Sequence, residues 1–229
     1  VISVFHVLWI ASINNTSLHH HSHWKIFNSN LLNQIYNVLV SAVSTANVQQ
    51  WRHNHFIHHK YTNDSPVNGK CKDNVSVFKF GDDGKMENYW TFCFRLALAS
   101  TLNCWRHLVL ESWRPKSVHL PRWIDFKTIQ REYFATIIFD LSILAINFWY
   151  GLWYIVVVSF VGQFLTWSWH YGDHYGSEQY RGDTTRDSVS IYSRWYNFLT
   201  FRNGYHQEHH HSPGVHWTKF HEITPLLPE

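Results

Sequence analysis

Trp51-Arg52-His53-Asn54-His55-Phe56-Ile57-His58-His59-Lys60-Tyr61-Thr62-Asn63 is the stretch on which the reading of this chain turns. His55, His58 and His59 stand at i, i+3 and i+4. On a helix those positions share one face within a turn, so three imidazoles can converge on one point. A polar helix face would account for one such cluster, but not for its recurrence. His206-Gln207-Glu208-His209-His210 repeats the His-x-x-His-His spacing, and His19/His23 and His170/His174 form i, i+4 pairs. Random placement of 19 histidines would rarely give two triads and two pairs. The pattern predicts a shared metal site carried on helices.

Two triads and two pairs offer up to ten imidazoles. A tetrahedral zinc takes four ligands, or three with a water in a catalytic site, so the count points to two metals. Neutral imidazole suits Fe, Zn, Cu and Ni alike, and ligand type does not choose among them. The Glu-rich set of soluble di-iron bundles is missing from the sequence. Asp173 and Glu208 instead suit partners that orient imidazoles. There is no Ser or Cys nucleophile motif and no glycine-rich phosphate loop.

Composition places these histidines in a protein that touches a bilayer. Of 229 residues, 18% are aromatic, with 13 Trp, and only 15% are charged, against about 25% in soluble domains. Amphipathic rings favour the membrane–water interface. The mean hydropathy of -0.28 pulls the other way, but the histidines and asparagines depress it. A net charge of +3 with no basic stripe excludes nucleic acid as an expected partner. Cys71, Cys93 and Cys104 form no Cys-x-x-Cys pair, which fits a reduced compartment. Val1 is not an initiator, no signal peptide is visible, and an N-terminal helix is expected to be truncated.

Outward from the central stretch, residues 1–18 are mostly apolar and marginal as a spanning helix, which needs about 20 apolar residues. They lead into His19-His20-His21-Ser22-His23. Residues 31–50 are semi-apolar, yet the histidines at either end belong to one site, so this segment must cross a membrane zero times or twice. It is too short for two crossings, and Asn33, Gln34, Asn37, Asn47, Gln49 and Gln50 predict a helix in the interface or against the protein. Residues 64–90 are loop, and Arg95 and Arg106 argue against a free span over 91–110. Residues 111–132 are polar and basic. From Tyr133 to His170 there is no Lys or Arg, and Asn147–Gly151 divides the segment into arms of roughly 27 Å. Two spanning helices joined by a tight turn are expected, with Asp140 held inside the bundle. Basic residues gather at the histidine end and avoid the turn, which places the histidines on the cytoplasmic side. The sequence reads as one domain over 1–229, an all-α integral-membrane helical bundle with a histidine-lined di-metal site.

These motifs resemble the integral-membrane fatty acid desaturase superfamily. His19-x-x-x-His23, with Phe27, Ser29 and Asn33, resembles its first histidine box. Arg52, His55, His58, His59 and Asn63 resemble the second. Gly204-Tyr205-His206-Gln207-Glu208-His209-His210, with Pro213, resembles the third. Asp173-His174-Tyr175-Gly176 is similar to the stretch that supplies a further ligand after the membrane hairpin. Together they span roughly residues 10–217. Two departures stand out: His20 where the family usually has an acidic residue, and no earlier transmembrane helix.

The resemblance implies a metal set of His19, His23, His55, His58, His59, His174, His206, His209 and His210, with His170, Asp173, Glu208 and Asn63 as supporting residues. His20, His21, His53, His211 and His216 are expected to stand outside it. It also implies two iron ions, dioxygen as co-substrate, and reducing equivalents from ferredoxin, a cytochrome b5-like protein or a similar carrier. Basic residues in 111–132 could dock an acidic donor, and a positive-inside bias explains them equally well. The expected reaction is desaturation of a fatty acyl or other lipid chain. A hydroxylase or ketolase acting on a carotenoid or another lipid is the alternative, because the boxes do not set the outcome. A membrane metal-binding or transport protein would need ionisable ligands inside several spans, whereas these histidines flank the hairpin.

Overall fold

The computed structural model describes residues 1–64, 71–81, 84–106, 126–179 and 184–227, and its regular elements there are all helical. α1 (Ile2–Ile13) continues through a π-helical turn (Asn14–Leu18) into α2 (His19–His23). α3 (Asn30–Ser44) and α4 (Val48–Tyr61) follow, then α5 (Tyr89–Arg106) and α6 (Phe126–Ile146). α7 (Phe148–Trp153) runs through a second π-helical turn (Tyr154–Val158) into α8 (Ser159–His174). The short α9 (Arg194–Leu199) and α10 (His206–His211) complete the set.

Parallel packing brings two histidine clusters to one end. Trp153 Nε1 donates to Ser3 Oγ, and Asn14 Nδ2 donates to Thr166 Oγ1, so α1 and the continuous helix from α7 through α8 run side by side at nearly constant register. Gly162 makes the approach possible, since a Cβ there would lie 2.8 Å from Ile10 Cβ. Both helices then deliver histidines at their C-terminal ends, His19–His23 and His174.

α3 and α4 form a hairpin that leaves this end and returns to it. Thr136 Oγ1 donates to Ser41 O and Asn47 Nδ2 to Ile129 O, laying α3 antiparallel to α6. Thr45 turns the chain in the left-handed region (φ 55°), and Asn47 Oδ1 caps α4 by accepting from Gln50 N. Gln163 Nε2 donates to Ser44 O and Thr45 Oγ1. The turn therefore lies beside a point about 16 Å of helix before His174. α4 climbs back and presents the central histidines. The α3–α4 hairpin thus starts and finishes at the histidine end, with residue 50 close to its turn.

The break in the second hairpin falls at Asn147 (φ −151°, ψ 105°), whose side chain accepts from Tyr150 N. Gly151 lets the arms close, because a Cβ there would sit 2.7 Å from the Leu144 backbone. The expectation of two equivalent spanning arms needs correction. Among the described residues one helix, Phe148–His174, is long and apolar enough to cross a membrane, with 27 residues and a hydropathy of 1.5. α6 begins before Tyr133 and so takes Lys127, Arg131 and Glu132 into the same helix as Asp140. With 21 residues, about 31 Å, α6 has the length to bring the chain to the Asn147 turn, but it is charged over its first third where the second arm is not.

Burial is inverted relative to a water-soluble bundle. Asn14, Asn15, Thr16, Ser41, Ser44, Glu132, Asp140, Gln163 and Thr166 are buried, while Phe5, Trp9, Leu31, Leu39, Phe94, Ile138, Trp149 and Val156 are exposed. Apolar packing is concentrated between α5 and α8, where Phe92, Cys93, Leu96 and Ala97 meet Trp167 and Tyr171. Arg95 turns back to Glu87 at 2.7 Å. Most of the basic segment 111–132 lies outside the described residues.

Candidate metal centre

Helix geometry sorts the histidines into two groups. His19, His23, His55 and His209 offer nitrogens that all lie within 4.8 Å of one another, and so do His58, His174, His206 and His210. His59 joins the first group, its Nε2 2.8 Å from His209 Nε2 and 3.1 Å from His55 Nε2. The nine expected residues are therefore together, but the single point of convergence expected for each triad is not what forms. Positions four apart differ by about 40° around the axis, whereas positions three apart differ by about 60° the other way. His55 and His59 accordingly face one group while His58 faces the other. α10 repeats this with reversed sense: His206 and His210 go to the second group, His209 to the first.

Seven of the nine imidazoles are buried, and His23 and His59 are half-buried. Desolvation, reinforced by neighbouring imidazoles, lowers the pKa of His19, His55, His59, His206, His209 and His210 well below the ordinary 6.5. His23 falls to about 4, again mainly through burial. Neutral rings present lone pairs, the form in which histidine binds a metal.

At His58 and His174 a partner on Nδ1 aims the other nitrogen inward, whereas Nδ1 of His59, His206 and His209 is buried without a hydrogen-bond partner. His174 Nδ1 lies 2.9 Å from the Asp187 carbonyl, which can only accept, so His174 carries its proton on Nδ1 and an unshared pair on Nε2. That Nε2 faces His58 Nε2 at 3.1 Å and His206 Nε2 at 3.3 Å. One lone pair cannot receive both neighbours as hydrogen-bond donors. His58 is itself turned by Asp73, whose Oδ2 is 2.8 Å from Nδ1, and His210 Nε2 is buried with no hydrogen-bond partner. A cation between these nitrogens satisfies them together, so the donor set fits a pair of metal ions of the imidazole-binding kind.

The supporting residues divide. Asp173 lies 3.8 Å from His206 Nδ1 and accepts from Asn203 Nδ2 at 3.5 Å. Asn63 occupies the left-handed region (φ 58°), which Asn tolerates. Its Nδ2 reaches Ser177 Oγ, Glu178 O and Asp187 O at 2.6–3.0 Å, fixing the carbonyl that holds His174. Glu208 differs from expectation. Among the described residues its carboxylate accepts from Ser190 Oγ, Tyr192 OH and Thr224 Oγ1 rather than from an imidazole, so it fastens α10 to the segments around it. His170 Nε2 lies 3.2 Å from Val75 O, with its ring stacked on Phe92, beside the second group rather than in it.

Asp73 and Asp187 were not singled out by the sequence, where they are two among several aspartates in polar loops. His20 (to Phe201 O), His21 (to Asn37 Oδ1), His211 (to Thr184 Oγ1) and His216 (to Thr218 Oγ1) have other partners, and His53 also lies outside both groups.

A family model described as fatty acid desaturase matches residues 1–229. No curated protein and no solved structure matches the chain. With that match running through all four histidine segments, the chain belongs to the fatty acid desaturase family, oxidoreductases of the desaturase and hydroxylase type that act on lipids.

Proposed function

We propose that the chain is an oxygen-dependent, di-iron membrane oxidoreductase that introduces a double bond into a fatty acyl or other lipid chain. The observation that carries this reading is the pairing of two largely buried histidine groups beside one cavity. His19, His23, His55, His59 and His209 would hold one iron, and His58, His174, His206 and His210 the other. When bound, the two irons supply the capacity to activate dioxygen for attack on an unactivated C–H bond.

The chain's own residues do the rest. Asp73, Asp187 and Asn63 hold the imidazoles in place, so the metal positions are set before substrate arrives. The cavity between α4, α5 and α8 touches His55 of one group and His58 of the other, with Trp51 and Trp167 as apolar wall. A lipid chain seated there displaces water from the reacting carbons. In the balanced reaction two hydrogens leave adjacent methylenes. Dioxygen becomes two waters with two further electrons from a carrier and two protons from solvent. A ferredoxin or cytochrome b5-like protein fits the carrier's role.

Inverted burial supports a bilayer around the bundle, and a cytoplasmic histidine end fits the lack of Lys and Arg from Tyr133 to His170. The test is metal and oxygen together. Full-length protein from iron-replete cells should hold about two irons per chain and consume oxygen in an iron-dependent way. Lipid profiles of the expressing cells should gain an unsaturated product. A single tightly held zinc without iron-dependent oxygen consumption would overturn the reading, and an oxygenated lipid product would move it to a hydroxylase or ketolase.

A further inference from the structure

The cavity beside the histidines has about 610 Å³ of free space, part of it open to the outside, and runs from His55 and His58 down to the α3–α4 turn at Thr45. For a slot that receives only methylenes its walls are unexpectedly polar. Gln50, Asn54, Asn103 and Gln163 all line it. Amides facing a hydrocarbon cost free energy unless they are paired.

Three of the four are paired within the wall. Asn103 Nδ2 donates to Gln50 Oε1 at 2.8 Å, and Tyr133 OH donates to the same oxygen. Both Gln163 donor contacts go to Ser44 O and Thr45 Oγ1 at 3.0 Å. Asn54 is the exception: its side-chain amide has no hydrogen-bond partner among the described residues. It is also aimed inward. Asn54 stands four residues after Gln50 and four before His58, and both neighbours line the same cavity, so all three share one face of α4.

We propose that Asn54 is a specificity-determining residue that hydrogen-bonds an oxygen of the substrate, a hydroxyl or a carbonyl, one helical turn from His58. The lipid accepted is then one whose hydroxyl or carbonyl oxygen lies about one helical turn from the carbons facing the histidine groups. This rests on the reading of the chain as a lipid oxidoreductase and names the substrate class for the same site. The physical reason is positional. Trp167, whose Nε1 donates to Ser100 Oγ, and the ring face of Trp51, whose buried Nε1 has no hydrogen-bond partner, offer sliding contact that lets a chain take many depths. One directional bond from the Asn54 amide sets a single depth, and so sets which C–H bond lies opposite the histidine groups.

The test is equilibrium binding of two radiolabelled probes of equal length, 1-dodecanol and dodecane, to purified full-length protein, corrected for partition into empty micelles. Wild type should prefer the alcohol by about tenfold, the ratio expected of one net hydrogen bond. Asn54→Leu should abolish the preference while binding dodecane at least as well. Asn54→Ser adds no bulk and keeps a hydroxyl, so it should retain part of the preference; it decides the matter if Asn54→Leu fails to fold by circular dichroism. No preference in wild type, or a full preference in either variant, overturns the assignment. Iron content and oxygen consumption of wild type are read separately. A preference in a protein without iron-dependent oxygen consumption would keep Asn54 as a lipid-oxygen contact and overturn only the oxidoreductase reading.

Discussion

Asp73 and His58 lie 2.8 Å apart, both almost fully buried, and this pair shows how little freedom a ligand-bearing imidazole has here. The carboxylate fixes which nitrogen of His58 points inward. Asp73→Ala should therefore lower metal affinity or activity by about 10–100-fold, the usual cost of losing a partner of this type. Metal content per chain checks it, and Asp73→Asn, which keeps a polar partner at Nδ1, should lose less. A full metal complement in Asp73→Ala would show that His58 is positioned by packing alone. His174 and His170 give a sharper contrast within one helix turn. His174→Ala removes a nitrogen from the centre of the second group and should empty that site, whereas His170→Gln should keep most of the iron, because Nε2 of His170 is turned to Val75 O. The reverse pattern of iron loss would reverse their roles.

The elements that carry these residues depend on close approaches. Gly162 is the contact where α8 meets α1, and Gly162→Ala would drive a methyl to within 2.8 Å of Ile10 Cβ. Overpacking of this kind costs about 1–3 kcal/mol, so the variant should unfold at a lower temperature and hold iron less well, because α1 and α8 both deliver histidines. An unchanged melting temperature would mean that the helices can part without cost. At this scale the sequence was readable in some features and opaque in others. The i, i+3, i+4 spacings were legible because they are local, and the parity of 31–50 followed from the shared site. The division of each triad between two groups was implicit in helical rotation, yet it shows only once facing helices supply the partners. Asp73 lies 15 residues from His58 and Asp187 lies 13 from His174, and no periodicity links such pairs. Glu208 looked like an imidazole partner from its place inside the box, but the hydroxyls of Ser190, Tyr192 and Thr224 claim it.

For the whole molecule the decisive question is whether four segments meet on one side of a membrane. Nine imidazoles come from α2, α4, α8 and α10, and the path between α2 and α4 dips beside Gln163 and returns. Shared groups are possible only if Lys25 and Lys60, just beyond those two clusters, lie on the same face. Phe148–His174 is long enough to carry the chain from one face to the other, so Trp149, largely exposed at its start, should lie on the opposite one. In a cysteine-free background, Lys25→Cys and Lys60→Cys should react with an impermeant maleimide from the same side of sealed vesicles, the cytoplasmic one, and Trp149→Cys from the other. Labelling of 25 and 60 from opposite sides would separate His23 from His55, whose Nε2 atoms lie 2.8 Å apart, and the two-metal centre could not stand. Labelling of 149 from the same side as both would leave the centre intact and overturn the spanning assignment of the apolar helix. Because the two groups together draw on all four segments that packing brings to one end, the same vesicles stripped of iron should keep this labelling pattern while unfolding at a lower temperature, since a ligand bound to the native state alone stabilises it by mass action.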